Sequence, residues 1–389
     1  MEREFDIIVY GATGFTGKLV AEYLGGAADD GLRWAIAGRS EDKLRQVHGE
    51  LGLADSVACI VADAGNPQTL ADMAARTHVV LTTVGPYQLY GTPLVDACVK
   101  AGTDYTDLCG EPAWMYDVIS EYDAAAKDSG SRIVLSCGFD SIPFDLGVQT
   151  LQNAAIARSG SPIARVKGRV AKMKGTFSGG TAASFAQTMV RAGQDREVIA
   201  RLKDPFSLVP GFEGPSQPPG HKPVYDEDLG SWSAPFIMAS INTKNIHRSN
   251  ALLGHAYGED FVYDEMVLTG PGDEGEARAN HVAQDRSMAE NPPKPGEGPS
   301  REEREAGLYD VIFTGETVSG ERLTARVTGD KDPGYGSTSK MIAETARLLA
   351  ETRSDAGRKT GVLTSASALG TPLAERLAER AGLTFDVTG

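Results

Sequence analysis

Up to about residue 140 the chain alternates short apolar runs with helical stretches. Residues 7–10 (Ile7, Ile8, Val9, Tyr10) read as a buried strand, and residues 17–24 open a helix. Strand-length runs recur at 34–37, 57–61, 79–82, 105–108 and 132–135. Helical stretches begin near 40 and cover 92–101 and 115–129. Strictly alternating β and α units with short connections call for a doubly wound parallel sheet.

After Gly147 the pattern changes. A helix is expected over 148–158, a long alternating strand over 163–174 and a helix over 181–193. Residues 208–228 and 270–307 are rich in Pro and Gly and read as loops, the early part of the second as a mobile insertion. Runs at 308–314 and 322–327 look like paired strands joined through 315–320. The tail turns helical again over 337–351, where Met341, Ile342, Ala346, Leu348 and Leu349 are apolar, and over 372–381. The expected division is a first domain over 1–147 and a second over 148–333, which carries both loops. A C-terminal segment, 334–389, then returns to the first domain. The second domain reads as mixed α/β with a largely antiparallel sheet.

One strand carries an anomaly. Arg165, Lys167 and Arg169 share a face opposite Val166 and Val170. If that register continues, Lys172 and Lys174 fall on the apolar face. Either a bulge shifts the phase, or a lysine (Lys174 is the candidate) enters the cleft.

Composition narrows the class. The 389 residues are 41% hydrophobic and 23% charged, as in folded globular chains with more than one core. A net charge of −15 opposes a nucleic-acid partner, which needs a dense basic face. The four cysteines, Cys59, Cys98, Cys109 and Cys137, have no metal-like spacing and read as buried thiols of a reducing cytoplasm. The six histidines lack a carboxylate or cysteine partner at ligand spacing, so no metal is expected. Of these, His48 and His78 read as peripheral, and His221, His247, His255 and His281 as loop or polar-strand residues. No run of about 18 apolar residues suggests a membrane span, and residues 5–10 read as a strand, not a signal peptide. Association with a membrane surface stays open, as does the oligomeric state.

The first connection is the most informative. Gly11, Ala12, Thr13, Gly14, Phe15, Thr16 and Gly17 lie directly after a strand and directly before a helix. There the glycines permit a tight turn, close approach to a pyrophosphate and close helix–strand packing, the dinucleotide fingerprint of a Rossmann domain. After the second strand stand Arg39, Ser40 and, one turn on, Lys43. An acidic residue there would bind a ribose 2′-hydroxyl; this cluster suits a 2′-phosphate, so NADP(H) is favoured. Asp63 after the third strand is expected beside the adenine. Thr83, Val84, Gly85 and Pro86 after the fourth are expected beside the nicotinamide ribose.

The motifs GATGFTG at 11–17, AGR at 37–39, TVGPY at 83–87, YTDLCGE at 105–111 and CGFDSIP at 137–143 resemble those of the saccharopine dehydrogenase-like oxidoreductases. Later stretches resemble one branch, the trans-acting enoyl reductases of lipid–polyketide synthesis. They are SGGTAAS at 178–184, WSAPFIM at 232–238 with INT at 241–243, GYGSTSKM at 334–341 and GVLT at 361–364. The resemblance spans nearly the whole chain. It implies a Rossmann domain closed by the final segment, with a second domain over the nicotinamide face. It also implies reduction by NADPH of the α,β-double bond of an acyl chain borne by a partner synthase. The amino-acid dehydrogenases of the same superfamily bind carboxylates with several arginines, and no such cluster is evident here.

Enoyl reduction needs a donor to the enolate oxygen and a proton for the α-carbon. Candidate catalytic groups are Tyr87, Asp140 and Lys174. Asp140 lies in a turn expected to meet the nicotinamide or the substrate, with Gly138 and Phe139 on the cofactor side. Tyr90, Ser141, Ser178, Thr181, Trp232 and Tyr335 are candidates for the substrate side, Trp232 as apolar pocket surface. The leading expectation is an NADPH-dependent enoyl reductase acting on a small-molecule or carrier-bound apolar substrate, with an acyl carrier as partner. An imine-reducing amino-acid dehydrogenase and a non-catalytic NADP-binding, lipid-associated protein are the alternatives.

Overall fold

The computed structural model describes residues 3–26, 31–176, 178–290, 293–294 and 296–389. Part of the Pro-rich run at 291–299 therefore lies outside the described residues. The first half alternates as expected: β1 (Phe5–Tyr10), α1 (Phe15–Gly26), β2 (Trp34–Gly38), α2 (Glu41–Glu50), β3 (Ala58–Val61) and α3 (Pro67–Ala75). It continues through β4 (Thr77–Thr82), α4 (Tyr87–Ala101), β5 (Asp104–Thr106), α5 (Pro112–Ser129) and β6 (Arg132–Val134). These strands form an all-parallel sheet in the order β13-β6-β5-β4-β1-β2-β3, whose edge strand β13 (Gly361–Leu363) comes from the far end of the chain. In β1, Ile7 and Val9 enter one core and Ile8 and Tyr10 the other, so the run is apolar throughout because both faces are covered.

Helix α6 (Ile142–Ser159) leaves this sheet and crosses to the second. Gly147 marks the crossing, since a Cβ there would stand 2.2 Å from the Phe313 ring. The second half holds β7 (Arg165–Lys174), α7 (Gly179–Gln194), α8 (Arg196–Lys203), β8 (Val224–Asp226), β9 (Ser231–Pro235), α9 (Ala239–Leu252) and β10 (Val262–Gly270). Next come α10 (Gly272–Gln284), α11 (Ser287–Glu290), α12 (Arg301–Glu305), β11 (Leu308–Glu316) and β12 (Arg322–Gly329). The mixed, mostly antiparallel sheet runs β14-β12-β11-β7-β10-β9-β8, where β14 is Leu383–Thr388, and among the described residues only β7 and β10 pair in parallel. The stretch 270–284, expected as loop, is largely α10, which packs on β9.

The C-terminal segment serves both sheets. A π-helical turn (Pro333–Ser337) leads into α13 (Thr338–Glu351), which packs against α1 and across β1 and β4. After β13, α14 (Ser365–Ala368) and α15 (Thr371–Arg380), the chain ends as β14 (Leu383–Thr388) on β12 of the second sheet. No helix among the described residues is long and apolar enough to cross a membrane.

A bulge resolves the lysine anomaly. Asp310 pairs with Lys172 while Val311 pairs with Val170, so Ala171 is the extra residue. Beyond it, Lys172 and Lys174 rejoin the outward face of Arg165, Lys167 and Arg169. That face is laced by ion pairs to Asp226, Asp228 and Asp264. Lys174 is exposed at the strand end.

Candidate functional site

The glycine loop closes the β1–α1 connection by its backbone. Gly11 has φ +93°, and a Cβ there would sit 2.7 Å from Val84 Cγ2. A Cβ at Gly17 would sit 2.1 Å from Gly11 O, so only glycine lets α1 start this close to β1. A Cβ at Gly14 would touch only Gly11 O at 3.3 Å, which leaves its outer side open to a ligand. Ala12 is buried behind the turn, and the N–H groups of the first turn, around Phe15 and Thr16, have no intrahelical acceptor. Backbone donors, positive helix end and open space together fit a pyrophosphate.

Arg39 follows β2 and is exposed, and no side-chain bond engages it among the described residues. Ser40 caps α2 by accepting from the Lys43 N–H at 3.4 Å. This fixes the helix start that presents Lys43. Thr13 reaches to 3.7 Å from a Cβ built at Gly38, joining the loop to the end of β2. Asp63 accepts from the Gly65 N–H at 2.9 Å in a tight turn after β3. Burial, then Asp63, pushes the Tyr10 phenol up to about 12, with Arg39 opposing, so all three share one end of the sheet.

The loop 83–86 follows β4, between Gly11 and α7. Thr83 Oγ1 donates to Gly11 O at 3.4 Å, and Ser184 Oγ of α7 stands 3.5 Å from a Cβ built at Gly85. Gln88 Nε2 donates to Thr188 Oγ1 at 3.1 Å, so α7 lies over the start of α4. Tyr87 itself turns into the core. Its ring packs on Trp114 at 5.6 Å, and its oxygen accepts from the Leu108 N–H at 3.1 Å. Burial holds its phenol well above its ordinary pKa. Glu111 accepts from the Tyr87 and Gln88 N–H groups, both at 2.9 Å, and so holds the start of α4.

Tyr335 lies in the π-helical turn, a local form that recurs at functional sites. Its N–H and that of Gly336 donate to Asp332 at 3.0 and 2.7 Å. Its ring meets Phe15 of the glycine loop edge-on at 5.2 Å. Its phenol oxygen accepts from the Ser178 N–H and lies 3.1 Å from Thr181 Oγ1. Two segments far apart in sequence, 178–181 and 333–337, thus converge beside Phe15 of the dinucleotide loop. Trp232 does not join them, since its ring packs from β9 against Tyr225 of the edge strand β8. Tyr90 is exposed on α4.

Asp140 lies in the turn between β6 and α6, partly buried, with Oδ2 4.0 Å from a Cβ built at Gly110. No hydrogen bond or ion pair engages its carboxyl among the described residues. Burial raises its pKa to about 7, and its charge adds a little to the rise that burial gives the Tyr335 phenol. A carboxyl without partners at the carboxyl ends of parallel strands is equipped to carry a proton near neutrality. Its neighbours are structural. Gly138 fits against Thr338, Phe139 donates its N–H to Thr338 Oγ1 at 2.9 Å and packs its ring on Tyr309, and Ser141 accepts from Asn245 Nδ2 at 2.6 Å.

Sequence reading missed Glu265. It points from β10 to the inner face of the second sheet, above Gly168, and accepts from Tyr263 Oη at 2.9 Å and Asn242 Nδ2 at 3.0 Å. Burial raises its pKa to about 8. The available signal was an acidic residue in phase with Tyr263 and Val267 on the apolar face of one strand. His247, expected in a loop or polar strand, is buried in α9 between Phe206 and Phe261. No group of His, Cys, Asp and Glu among the described residues is arranged to hold a metal.

A family model described as the saccharopine dehydrogenase NADP binding domain matches residues 7–134, which hold the glycine loop and Arg39. The cofactor is NADP(H). A Mycobacterium tuberculosis protein provisionally named a trans-acting enoyl reductase is 42% identical over 99% of this chain and 98% of its own length. A Mycobacterium ulcerans trans-acting enoyl reductase is 38% identical over 97% and 96%. Among solved structures, saccharopine dehydrogenase (L-Glu forming) of Saccharomyces cerevisiae shares the fold. The TM-score is 0.55 with 99% of each chain covered, at 10% identity.

Proposed function

The chain belongs to the trans-acting enoyl reductase family, and on that premise we propose that it reduces the α,β-double bond of an acyl thioester delivered by a carrier protein. The observation that carries this reading is the full-length identity to named enoyl reductases, joined to an unpartnered carboxyl, Asp140, in the turn between β6 and α6. Bound NADPH supplies the hydride. The glycine loop holds the diphosphate through backbone N–H groups, and Arg39 with Lys43 receives the 2′-phosphate. Tyr335, its oxygen fixed by the Ser178 N–H and Thr181, donates its phenol hydrogen to the oxygen that becomes the enolate. Asp140 gives the proton to the α-carbon. Tyr87 and Lys174 take no part in proton transfer here, because one phenol is engaged in the core and the amine stands on the outer face. Exposed Leu89 and Tyr90 on α4 and Met189 and Val190 on α7 flank the Gln88–Thr188 bond, and supply apolar surface for an acyl chain.

The test follows NADPH oxidation with enoyl thioesters of a carrier protein, free enoyl thioesters, and 2-oxo acids with amines. Turnover of enoyl thioesters, fastest on the carrier, is expected. Turnover only of an oxo acid with an amine would overturn the reading.

A further inference from the structure

The turn that carries Asp140 follows β6 and closes on itself. Ser136 O accepts from the Ser141 N–H at 3.0 Å, so residues 136–141 form one tight unit with Asp140 beside its closing residue. The unit begins with a serine at φ +61°, in the left-handed region that residues other than glycine seldom adopt. Such a backbone persists only where its surroundings over-determine it. At its far end the turn meets a polar seam along α9, where Asn242 donates to Glu265 of the second sheet, Asn245 to Ser141 and Ser249 to Asp145 of α6.

What holds Ser136 is the loop after β5. Asp107 Oδ1 accepts from the Ser136 N–H at 2.8 Å and from the Cys109 N–H at 3.0 Å, and its Oδ2 accepts from Tyr105 Oη at 2.9 Å. The Asp107 carbonyl accepts from the Cys137 N–H at 2.7 Å, and Ser136 Oγ donates to the Cys109 carbonyl at 2.6 Å. Leu108 lies against Gly138, where a Cβ would stand 2.9 Å from Leu108 Cδ2, and a Cβ at Gly110 would stand 4.0 Å from Asp140 Oδ2. Residues 107–110 therefore line the turn from Ser136 to Asp140. Asp107 is fully buried, so whatever it does for the cleft passes through this loop and this turn. Both N–H bonds fall on Oδ1, and they survive whether the carboxyl is ionised or carries a proton on Oδ2, turned to Tyr105.

We propose that Asp107 is a positioning residue that acts through Asp140, clamping the 136–141 turn so that the Asp140 carboxyl is held against Gly110. This rests on the reading of Asp140 as proton donor. The titratable groups around Asp107 are Tyr105, Cys109 and Glu111 from its own segment, Tyr87 of α4 and Cys137 of the turn. None of these is a cation, so the carboxyl is held by its two N–H donors and one phenol. Without it the Ser136 and Cys109 N–H groups lose their acceptor, the serine relaxes from its left-handed backbone, and the turn no longer holds Asp140 to the loop.

The test is a carboxyl 13C NMR titration of the full-length protein labelled in Asp, with the Asp140 signal identified by its loss in Asp140→Asn. Wild type is compared with Asp107→Asn, Asp107→Ala and the milder Asp107→Ser, and circular dichroism checks each fold. Asp107→Asn keeps an oxygen for both N–H groups and an N–H for Tyr105 Oη, and is expected to leave the Asp140 midpoint at its wild-type value of about 7. Asp107→Ala, or Asp107→Ser should the alanine variant not fold, removes the clamp. The turn then opens to water, and the Asp140 midpoint is expected to fall by about one pH unit or more. Tyr335 and Glu265, the ionisable groups that feel the Asp140 charge, do so weakly and are intact in every Asp107 variant. An unmoved midpoint in the folded alanine or serine variant overturns the proposal. So does an equal fall in Asp107→Asn, because charge and not geometry would then be at work. The titration needs no substrate, so absence of enoyl turnover would remove the proposed reaction and leave this result standing. If turnover is seen, Asp107→Ala is expected to lower kcat about 10- to 100-fold with the NADPH Kd unchanged, and to cost nothing further in the Asp140→Asn background. Losses that multiply in the double variant would overturn action through Asp140.

Discussion

The dinucleotide loop at 11–17 and the polar seam along α9 are built by different means. The loop works through its backbone: seven consecutive residues make the turn, the close packing and the helix start. The seam works through side chains, and its bonds join residues 23 and 104 positions apart. A backbone-made site must keep its residue types at fixed local spacing. A side-chain-made site needs only that distant segments arrive together. The first belongs to the NADP-binding domain, and the second joins α9 to both sheets.

Breaking the loop gives the largest expected effect. Gly17→Ala places a Cβ 2.1 Å from the Gly11 carbonyl oxygen, and α1 must move away from β1. NADPH binding, measured by fluorescence titration, is expected to be lost, and near-native binding would contradict the backbone account. Arg39→Ala sharpens the same side. Removing a charged partner of the 2′-phosphate is expected to weaken NADPH about 10- to 100-fold and to leave NADH nearly unchanged. Equal loss for both would assign Arg39 elsewhere.

Buried carboxyls of the seam and of the first sheet answer to pH. Burial raises Asp107 and Asp140 to about 7, Asp145 to about 6 and Glu265 to about 8. Each holds its proton in the folded state at pH values where the unfolded chain has released it. The folded state therefore binds more protons between about pH 4 and pH 8, and stability falls as pH rises through that window. The Tm is expected to be highest at the acidic end and to decline toward pH 8; a rise across the window would contradict this burial. Tyr87→Phe has the smallest expected effect on activity. It leaves the Leu108 N–H without its acceptor, costing about 1–3 kcal/mol of stability by denaturant unfolding, with kcat changed less than about threefold. A loss of the size that general acid catalysis supplies, about 100-fold or more, would return Tyr87 to the chemistry.

The same contrast explains what could be read before the fold was known. The strands of the first sheet are apolar on both faces and stand out as runs, and the glycine spacing marks the loop. From 231 to 284 the chain offers no comparable pattern. Helix α9 carries Asn242, Lys244, Asn245, Arg248 and Ser249 toward the interior, so its periodicity reads as solvated surface. Strand β14 alternates apolar Leu383, Phe385 and Val387 with polar Thr384, Asp386 and Thr388, which marks a strand but not the sheet it joins, and β13 is only three residues long. Of the two readings open for Lys174, a bulge or entry into the cleft, the bulge at Ala171 holds, and no feature of the composition marks its position. Tyr87 follows a strand at the expected position, yet the fit of its ring on Trp114 turns it inward, and only the packing decides that.

The proposed function assigns the α-carbon proton to Asp140. The direct measurement is stopped-flow oxidation of bound NADPH by an enoyl thioester, in wild type and in Asp140→Asn, beside the NADPH Kd of each. The expected result is a rate lowered about 100- to 10,000-fold with the Kd unchanged. An unchanged rate in Asp140→Asn would show that the proton comes from another group.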